Sequence, residues 1–588
     1  MVLRSAKYSQ NLPNVASAPQ RSGLQYFRLR ISKPKRSSAI LGGRLVPIAV
    51  SSVTLAMLAS WLVSCGSNHS GTGIGNPPPP PPTTYSVTTW HNDNARTGQN
   101  LNETILTTAN VNSSTFGKLF VLSADGRVDA QPLYLPNLTI SNQNHNVLFV
   151  ATEHGSVYAF DADNGTQLWQ ISTLASGESP SDDRACSQVS PEIGVTATPV
   201  IDPNAGPHGS IYLIAMSKDG SGNYHQRLHA LDVTTGAEQF SGPKEIQATY
   251  PGTGDNSSNG NVIFDPGQQL DRPGLLLLNG ILYTSWGSHC DFRPYTGWII
   301  GYNETTLAQV TVLNVTPNGN EGSFWMSGAG PAADSTGNIF ALDANGVFDT
   351  TLNAQGFPIE GDYGNAFLKI STTNNQLAVS DYFEESNQAA ENESDEDLGS
   401  GGAMVLPDLS DNSGTTHHLA VGAGKDANLY VVDRDSMGKF SPNADNIYQQ
   451  ISNALPGGVF SSPAYFNHTV YYGPVNSPVK AFAISNAQLS STFASQTAHS
   501  FPYPGATPSI SANGTSNAIL WAAENSTPAV LHAYDATNLA NELYNSNQAS
   551  AGRDHFGVGN KFITPTVING KVYVATTTGV GVFGLAQQ

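Results

Sequence analysis

The sequence predicts an all-β protein whose mature part folds as a single β-propeller. The 588 residues include 57 Gly and 36 Pro, and only 12% are charged. Such a composition suits short strands that are joined by many turns. A hairpin-like unit also recurs through most of the chain, and repeats of this kind bury their faces by stacking against their neighbours.

The repeating unit is clearest at residues 147–169. An apolar strand is followed by a turn at His154-Gly155, a second strand and an Asp-Asn-Gly turn, which together predict a hairpin. Related units occur at residues 211–236, 281–303, 330–343, 419–434, 470–484, 519–536 and 572–585. Eight units predict an eight-bladed propeller, with seven blades as the alternative if the unit at 330–343 is an insertion. We expect residues 116–121 to pair near Val582 and close the ring.

Residues 1–64 have the layout of a lipoprotein signal peptide. Basic residues between Arg28 and Arg44 precede a mostly apolar run, residues 45–63, which ends before Ser64-Cys65. Small residues ahead of the cysteine are typical of a lipobox, so we expect cleavage after Ser64 and lipidation of Cys65. A plain membrane anchor is the alternative, because the apolar run is near the lower length limit for a spanning helix.

Residues 65–84 predict a tether between the lipid and the folded body. A Gly- and Ser-containing stretch is followed by six consecutive prolines at 77–82, a flexible and then a stiff spacer. Gly66 after the lipidated cysteine resembles a signal for the outer membrane. We therefore expect a cell-envelope protein facing the periplasm or the cell surface, with the propeller spanning residues 85–588.

The predicted mature chain is strongly acidic. Residues 1–64 contain nine of the 26 Lys and Arg but none of the 45 Asp and Glu, which leaves a formal net charge near −28 for the remainder. Such a surface repels phosphate backbones, so we do not expect nucleic acid as a partner. The acidity also favours solubility, which is its simplest role.

Two cysteines remain after Cys65, and they predict one disulfide. An exported chain with only Cys186 and Cys290 left favours a bond between them over two free thiols. The bond would join loops of different repeats and close a loop of roughly 100 residues, for which loop entropy predicts about 4 to 5 kcal/mol of stabilisation.

Two segments resemble quinoprotein sequences. Residues 159–169 look like the tryptophan-docking repeat of the pyrroloquinoline quinone (PQQ) enzymes, and residues 90–98 look like the opening segment of a bacterial PQQ-like repeat family of unassigned activity. The likeness extends over residues 90–585 and implies a propeller of the quinoprotein type. It does not determine the activity, because the same repeat serves dehydrogenases and non-enzymatic scaffolds.

Two further segments resemble parts of the quinoprotein alcohol dehydrogenase site. Residues 425–434 are similar to the segment in which a Lys meets the quinone oxygens, and residues 289–293 lie about where that family carries its catalytic Asp. The resemblance implies PQQ and calcium as cofactors. The expected roles are a catalytic base at Asp291, cofactor contacts from Arg293, Lys425 and Asp426, and a calcium site at Glu192 and Asp291; His289 is a further candidate.

The sequence also departs from that family's pattern. Phe292 replaces a calcium-binding Asn, and no adjacent Cys-Cys pair is present. Each candidate also has an ordinary structural alternative: Lys425 as a turn lysine, Asp291 as an ion-pair partner of Arg293, and Glu192 as a loop acid.

Residues 381–397 contain eight acidic side chains, enough to attract calcium by charge. The segment lacks the ligand spacing of an EF-hand, so the pattern favours a solvated acidic loop. His417-His418 precede a strand, where adjacent side chains point to opposite faces, and they do not predict a metal site.

Three functional hypotheses remain open from the sequence. The first is an envelope-anchored module that binds a small molecule or serves as a scaffold. The second is a PQQ- and calcium-dependent dehydrogenase that oxidises an alcohol or sugar hydroxyl. The third is a surface protein that binds polysaccharide or other envelope proteins.

Overall fold

A computed structural model of the protein describes residues 85–586. Within this range there are eight β-sheets of four or more strands, and the only α-helix is the short segment Gln388–Ser394. The predicted signal peptide, the lipidation site Cys65 and the tether at 65–84 lie outside the described residues. No helix of the described part is long and apolar enough to cross a membrane.

Each sheet contains four antiparallel strands that pair in an up-and-down order. Sheet 1 comprises Leu133–Ile140, Gln143–Ala151, Ser156–Asp161 and Gln167–Ser172. Sheet 2 comprises Val200–Asp202, Ser210–Lys218, Tyr224–Asp232 and Lys244–Glu245. Sheet 3 comprises Leu276–Leu278, Ile281–Ser288, Trp298–Asn303 and Gln309–Asn314. Sheet 4 comprises Ala332–Ala333, Asn338–Leu342, Phe367–Ser371 and Ala378–Glu384.

The second half of the chain repeats this arrangement. Sheet 5 comprises Met404–Val405, Leu419–Gly422, Leu429–Asp433 and Gln449–Ile451. Sheet 6 comprises Ala464–Phe466, Thr469–Tyr472, Ser477–Ser485 and Ser495–Phe501. Sheet 7 comprises Ser509–Asn513, Ser516–Glu524, Val530–Asp535 and Glu542–Asn545. Sheet 8 comprises Thr566–Ile568, Lys571–Thr576, Gly579–Leu585 and, from the start of the chain, Phe116–Ser123.

Shorter elements extend these sheets or lie in the connecting loops. The two-to-four-residue strands are Gln99–Asn100, Ser179–Asp182, Glu192–Ile193, Thr249–Pro251, Ser257–Ser258, Asn261–Ile263, Gln269–Leu270, Leu409–Ser410, Thr416–His417, Lys439–Phe440 and Gln488–Leu489. The 3-10 turns are Met326–Gly328, Thr373–Asn375, Leu398–Ser400 and Ser550–Gly552.

The sheets stack face to face in a closed cyclic order. Alternate side chains of one strand point to opposite faces, so Leu213 of sheet 2 packs in a cluster with sheet 1, whereas Tyr212 packs in a cluster with sheet 3. Apolar clusters join every successive pair of sheets in this way, and sheet 8 shares one with sheets 7 and 1. The predicted closing strand is present, with Phe120 opposite Val582. This is the arrangement of a β-propeller.

Residues 87–100 wind once around the inside of the ring. Their backbone or side chains hydrogen-bond the first strand of every sheet, in the order of the sheets. The contacts are Val87 with Tyr134, Thr88 with Ile201, Asn94 with Leu277 and Ala333, Ala95 with Val405, Thr97 with Tyr465, Gly98 with Ile510, and Asn100 with Val567. The segment, which we name the central segment, therefore fills the middle of the propeller.

Arg96 anchors the central segment. Its guanidinium group is fully buried and donates hydrogen bonds to the carbonyl of Pro331 at 2.9 Å, the hydroxyl of Thr89 at 2.7 Å and the carbonyl of Trp90 at 2.8 Å. Gly98 has a φ of 67°, and a Cβ atom there would lie 2.1 Å from Nε2 of His91. The sequence that resembles the opening segment of a PQQ-like family is thus a structural core element.

Candidate functional site

One cavity opens where the loops that lead into the first strands converge. Lining residues come from the loops before sheets 2 to 8: Gln188, Val189, Leu270, Arg272, Trp325, Ser327, Asp397, Ser400, Phe460, Tyr503, Lys561 and Phe562. Asp291 and Lys425 line it from the turns between the second and third strands of sheets 3 and 5. Closure of the ring brings these distant loops to a common mouth.

Aromatic rings form much of the cavity wall. The ring of Phe460 lies 5.5 Å from that of Tyr503, which lies 6.3 Å from that of Phe562, both pairs in edge-to-face orientations. Trp325 lines the same space. Flat apolar surfaces of this kind suit a planar ligand with a π-system.

Three cationic side chains line the cavity, in a chain whose described part is strongly acidic. Lys425 Nζ contacts Asp397 Oδ2 at 2.6 Å and Asp395 Oδ1 at 2.8 Å. Burial opposes its charge, but these two carboxylates outweigh the burial and raise the pKa of Lys425. Arg272 Nη1 lies 3.3 Å from Asp129 Oδ2. The guanidinium group also stacks on Phe562, with Cζ of Arg272 4.6 Å from the ring centroid.

Lys561 is the cation that is least neutralised. None of the carboxylates in residues 85–586 lies within ion-pair distance of its ammonium group. Burial first, and then repulsion by Arg272, lower the pKa of Lys561 to about 8. Lys561 is therefore a cation at neutral pH whose attraction to Asp129 falls short of an ion pair, and an anionic ligand would supply a direct partner.

Asp291 is held in the cavity without a cationic partner at ion-pair distance among the described residues. Its Oδ1 accepts a hydrogen bond from the Tyr295 hydroxyl at 3.0 Å. Burial first, and then the charge of Asp397, raise the pKa of Asp291. A carboxylate that binds a proton more readily than usual is suited to accept one from a bound substrate.

The predicted disulfide is present and lies next to the cavity. Cys186 and Cys290 are bonded, with a sequence separation of 104 residues. Cys186 precedes the lining residue Gln188, and Cys290 precedes Asp291. The bond therefore links two loops that shape the same wall.

No protein-family model and no curated protein matches the sequence. Solved structures do match. Quinohemoprotein alcohol dehydrogenase from Comamonas testosteroni superposes with a TM-score of 0.55 at 14% identity, over 85% of this chain and 80% of that chain. Quinohemoprotein alcohol dehydrogenase ADHIIG from Pseudomonas putida HK5 gives a TM-score of 0.54 at 13% identity, over 86% and 81%.

A third solved structure, the europium-containing methanol dehydrogenase, gives a TM-score of 0.53 at 12% identity, over 86% of this chain and 99% of that chain. The chain therefore has the quinoprotein β-propeller fold. At these identities the likeness establishes the fold of the propeller alone, and its activity has to be argued from its own cavity.

The quinoprotein-type propeller does not gather all the candidate residues in the cavity. Glu192 does not line the cavity. Its carboxylate instead pairs with His154, with Oε1 2.9 Å from Nδ1. Arg293 pairs with the carboxylate of Asp255 at 2.7 and 2.8 Å. Asp426 accepts a hydrogen bond from the Tyr430 hydroxyl at 2.6 Å, outside the cavity.

These positions correct two sequence-based expectations. The ion pair between Asp291 and Arg293, offered as an alternative, is absent because Arg293 binds Asp255 instead. The calcium set of Glu192 and Asp291 is not brought together in the cavity. His289 is buried beside the disulfide, and burial lowers its pKa to about 4, so it is neutral at physiological pH.

Sequence reasoning missed most of the lining residues. Phe460 and Phe562 each stand three residues before a proline that introduces a repeat unit, Pro463 and Pro565. Tyr503 precedes the corresponding Pro508 by five residues. Aromatic residues shortly before a repeat-initiating proline are the signal that could have located the wall of the cavity.

Proposed function

We propose that the protein is an envelope-anchored binding protein whose cavity takes a planar, anionic aromatic molecule, with PQQ as the first ligand to test. The observation that carries the proposal is the convergence of three cations on one aromatic-walled cavity. PQQ combines a fused aromatic ring system with three carboxylates. Arg272, Lys425 and Lys561 could pair with carboxylate or quinone oxygens, while Phe460 and Trp325 offer apolar ring contacts.

The residues fit PQQ better than they fit calcium. The cationic and aromatic lining suits a ligand that combines carboxylates with a planar ring system. Few oxygens in the cavity are suited to bind a cation. Asp397 is already paired with Lys425, which leaves the Asp291 carboxylate and Gln188 Oε1. Gln188 Oε1 is buried and accepts no hydrogen bond in the described structure. Calcium takes about six to eight oxygens, so an ion here would depend on oxygens of the bound ligand.

The binding proposal is tested by isothermal titration of the purified chain with PQQ, with and without calcium. We expect saturable binding at micromolar concentrations or below, weakened about ten-fold or more by Lys425→Met or Arg272→Met. Lys571→Met is the matched control, because Lys571 pairs with Asp163 away from the cavity and its loss should leave the affinity unchanged. Absence of binding at micromolar PQQ would refute the proposal.

A second candidate function, oxidation of an alcohol or sugar hydroxyl, is supported by Asp291 and Lys425 lining one cavity. A bound quinone would supply the electron acceptor. Asp291 would take the hydroxyl proton of the substrate, and the Lys425 ammonium would hold negative charge on a ligand oxygen.

Dye-linked oxidation of a panel of alcohols and sugars tests the second function with the quinone-loaded protein. We expect Asp291→Asn to abolish dye reduction while PQQ still binds. Binding without any dye reduction by the wild-type protein would leave the first proposal intact and reject the dehydrogenase.

We also propose that the protein is anchored through a lipid on Cys65. We further propose that the propeller has eight blades, each formed by one of the eight sheets. In cells, the wild-type protein should take up a labelled fatty acid, and Cys65→Ser should not. Wild-type protein that takes up no fatty acid would favour a plain membrane anchor. Pull-down from solubilised envelopes would test the scaffold and polysaccharide alternatives.

A further inference from the structure

A cluster of buried carboxylates lies between sheets 4 and 5, apart from the cavity. Glu385 directly follows the last strand of sheet 4, Glu391 lies in the helix Gln388–Ser394, and Asp426 lies in a turn of sheet 5. One oxygen from each of these three side chains lies within 4.8 Å of the others. We name these three residues the carboxylate cluster. Its position corrects the expectation of a solvated acidic loop.

The cluster contains buried oxygens that have no partner. Glu385 is 1% exposed, and neither of its carboxylate oxygens accepts a well-formed hydrogen bond in the described structure; the neighbouring Tyr430 hydroxyl donates to Asp426 instead. Glu391 is 5% exposed, and its Oε2 also lacks a donor. The preceding residue, Glu384, is fully buried with both oxygens equally without a donor.

No lysine, arginine or histidine in residues 85–586 forms an ion pair with the cluster. The nearest lysine in sequence, Lys425, is instead paired with Asp395 and Asp397. Unpaired carboxylates that are taken out of water cost several kcal/mol each, so proteins neutralise them with a proton or a cation.

Hydrogen bonds hold one carboxylate oxygen each of Glu391 and Asp426, and the second oxygen of each carboxylate is left available to bind a cation. The Asn387 side-chain amide donates to Glu391 Oε1 at 2.7 Å, which leaves Oε2 directed to the cluster. The Tyr430 hydroxyl donates to Asp426 Oδ2 at 2.6 Å. Hydrogen bonds from neighbouring groups commonly orient the ligands of a metal in this manner.

We propose that Glu385, Glu391 and Asp426 bind a divalent cation of the calcium class. The donor set consists of carboxylate oxygens with no imidazole or thiolate, which favours a hard cation over zinc or copper. The cation would join the outer edge of sheet 4, the helix and sheet 5 through one centre. The loop that follows the helix carries Asp395 and Asp397 to Lys425, so the cation would also stiffen one wall of the cavity.

The test is a calcium titration of the metal-stripped full-length chain at neutral pH, without any quinone. We expect the wild-type protein to bind calcium in saturable fashion at this site and to gain thermal stability on binding. The double variant Glu385→Gln/Glu391→Gln should lose one calcium equivalent, with affinity for that ion reduced about 100-fold or more. Glu396→Gln, an exposed acid in the same segment, should bind calcium as the wild type does.

The metal-free stability of the double variant separates ligand loss from misfolding. Removing two unpaired buried charges should leave the melting temperature of the stripped protein unchanged or raised. Calcium binding and stabilisation that persist undiminished in the double variant would overturn the proposal, as would a stripped wild-type protein that binds no calcium. Because quinone is absent from both measurements, the result is independent of the function proposed for the cavity.

Discussion

Replacing Arg96 by Met should destabilise the propeller, because this side chain holds the central segment together and ties it to the residues that lead into sheets 3 and 4. Arg96 donates three hydrogen bonds of 2.7 to 2.9 Å, to Pro331, Thr89 and Trp90. A further bond of 3.3 Å reaches the carbonyl of Leu275. Methionine keeps the apolar stem of the side chain but provides no donor, so these buried acceptors would be left without a partner.

The size of the effect follows from two opposing contributions. Hydrogen bonds from a charged donor contribute about 1.5 to 3 kcal/mol each, or about 5 to 9 kcal/mol for the three short ones. Burial of the guanidinium opposes this gain and lowers the pKa of Arg96 to about 10. We expect a net loss of about 3 to 5 kcal/mol in the free energy of unfolding, the range for breaking a buried polar network.

Urea denaturation followed by tryptophan fluorescence measures this loss. The midpoint for Arg96→Met should fall markedly with an unchanged slope, since the surface exposed on unfolding is the same. Arg293→Met is the control, because Arg293 is half exposed and pairs with Asp255 at the surface, where an ion pair contributes about 1 kcal/mol or less. A loss of under about 1 kcal/mol for Arg96→Met would refute the role given to the central segment.

Three further outcomes are expected. Replacing Cys186 and Cys290 by Ser should lower the free energy of unfolding by about 2 to 5 kcal/mol in denaturation curves, and an unchanged midpoint would contradict the contribution of the bond. Because the pKa of Lys561 is lowered to about 8, PQQ affinity measured by titration should fall between pH 7 and 9, and Lys561→Met should remove that step; a pH-independent affinity would argue against Lys561. Burial of His532 opposes its charge, but the hydrogen bond to Glu524 outweighs burial and raises the pKa of His532. The same hydrogen bond lowers the pKa of Glu524 to about 2. The stability lost in His532→Asn should therefore be largest between about pH 4.5 and 6.5 and shrink as the pH rises through the raised pKa of His532; a loss that grows above pH 7 would contradict the charged pair.

The repeat and the ring were predictable because their signals are local. Each hairpin combines an apolar strand with a polar turn, and the closing pair of Phe120 and Val582 follows from the need to complete the last sheet. The disulfide was predictable because Cys186 and Cys290 are the two cysteines left once Cys65 is set aside as the expected lipidation site. The blade count of eight rests on the same repeat units and stays a proposal.

The central segment and the cavity wall were not predictable from the sequence. Thr88, Ala95 and Thr97 bind the sheets through backbone carbonyls, and such bonds leave no signature in the side-chain sequence. Phe460 and Phe562 line the same cavity only because two loops that are far apart in the sequence reach the same mouth. Single-sequence patterns report local periodicity and do not report contacts of this range.

The acidic segment failed as a prediction for a related reason. Charge density in residues 381–397 was visible, and an exposed loop is the usual environment for such residues. Burial of Glu385 and Glu391 depends on the helix and on sheet 5, which no local pattern reveals. Arg293 likewise has a partner, Asp255, that lies 38 residues away in sequence.

A crystal structure of the chain grown with saturating PQQ would show directly whether the cavity binds the quinone. We expect the quinone to lie in the cavity against the rings of Phe460 and Trp325, with its oxygens in contact with Arg272, Lys425 or Lys561. Quinone bound at another place, or an empty cavity at saturating PQQ, would contradict it.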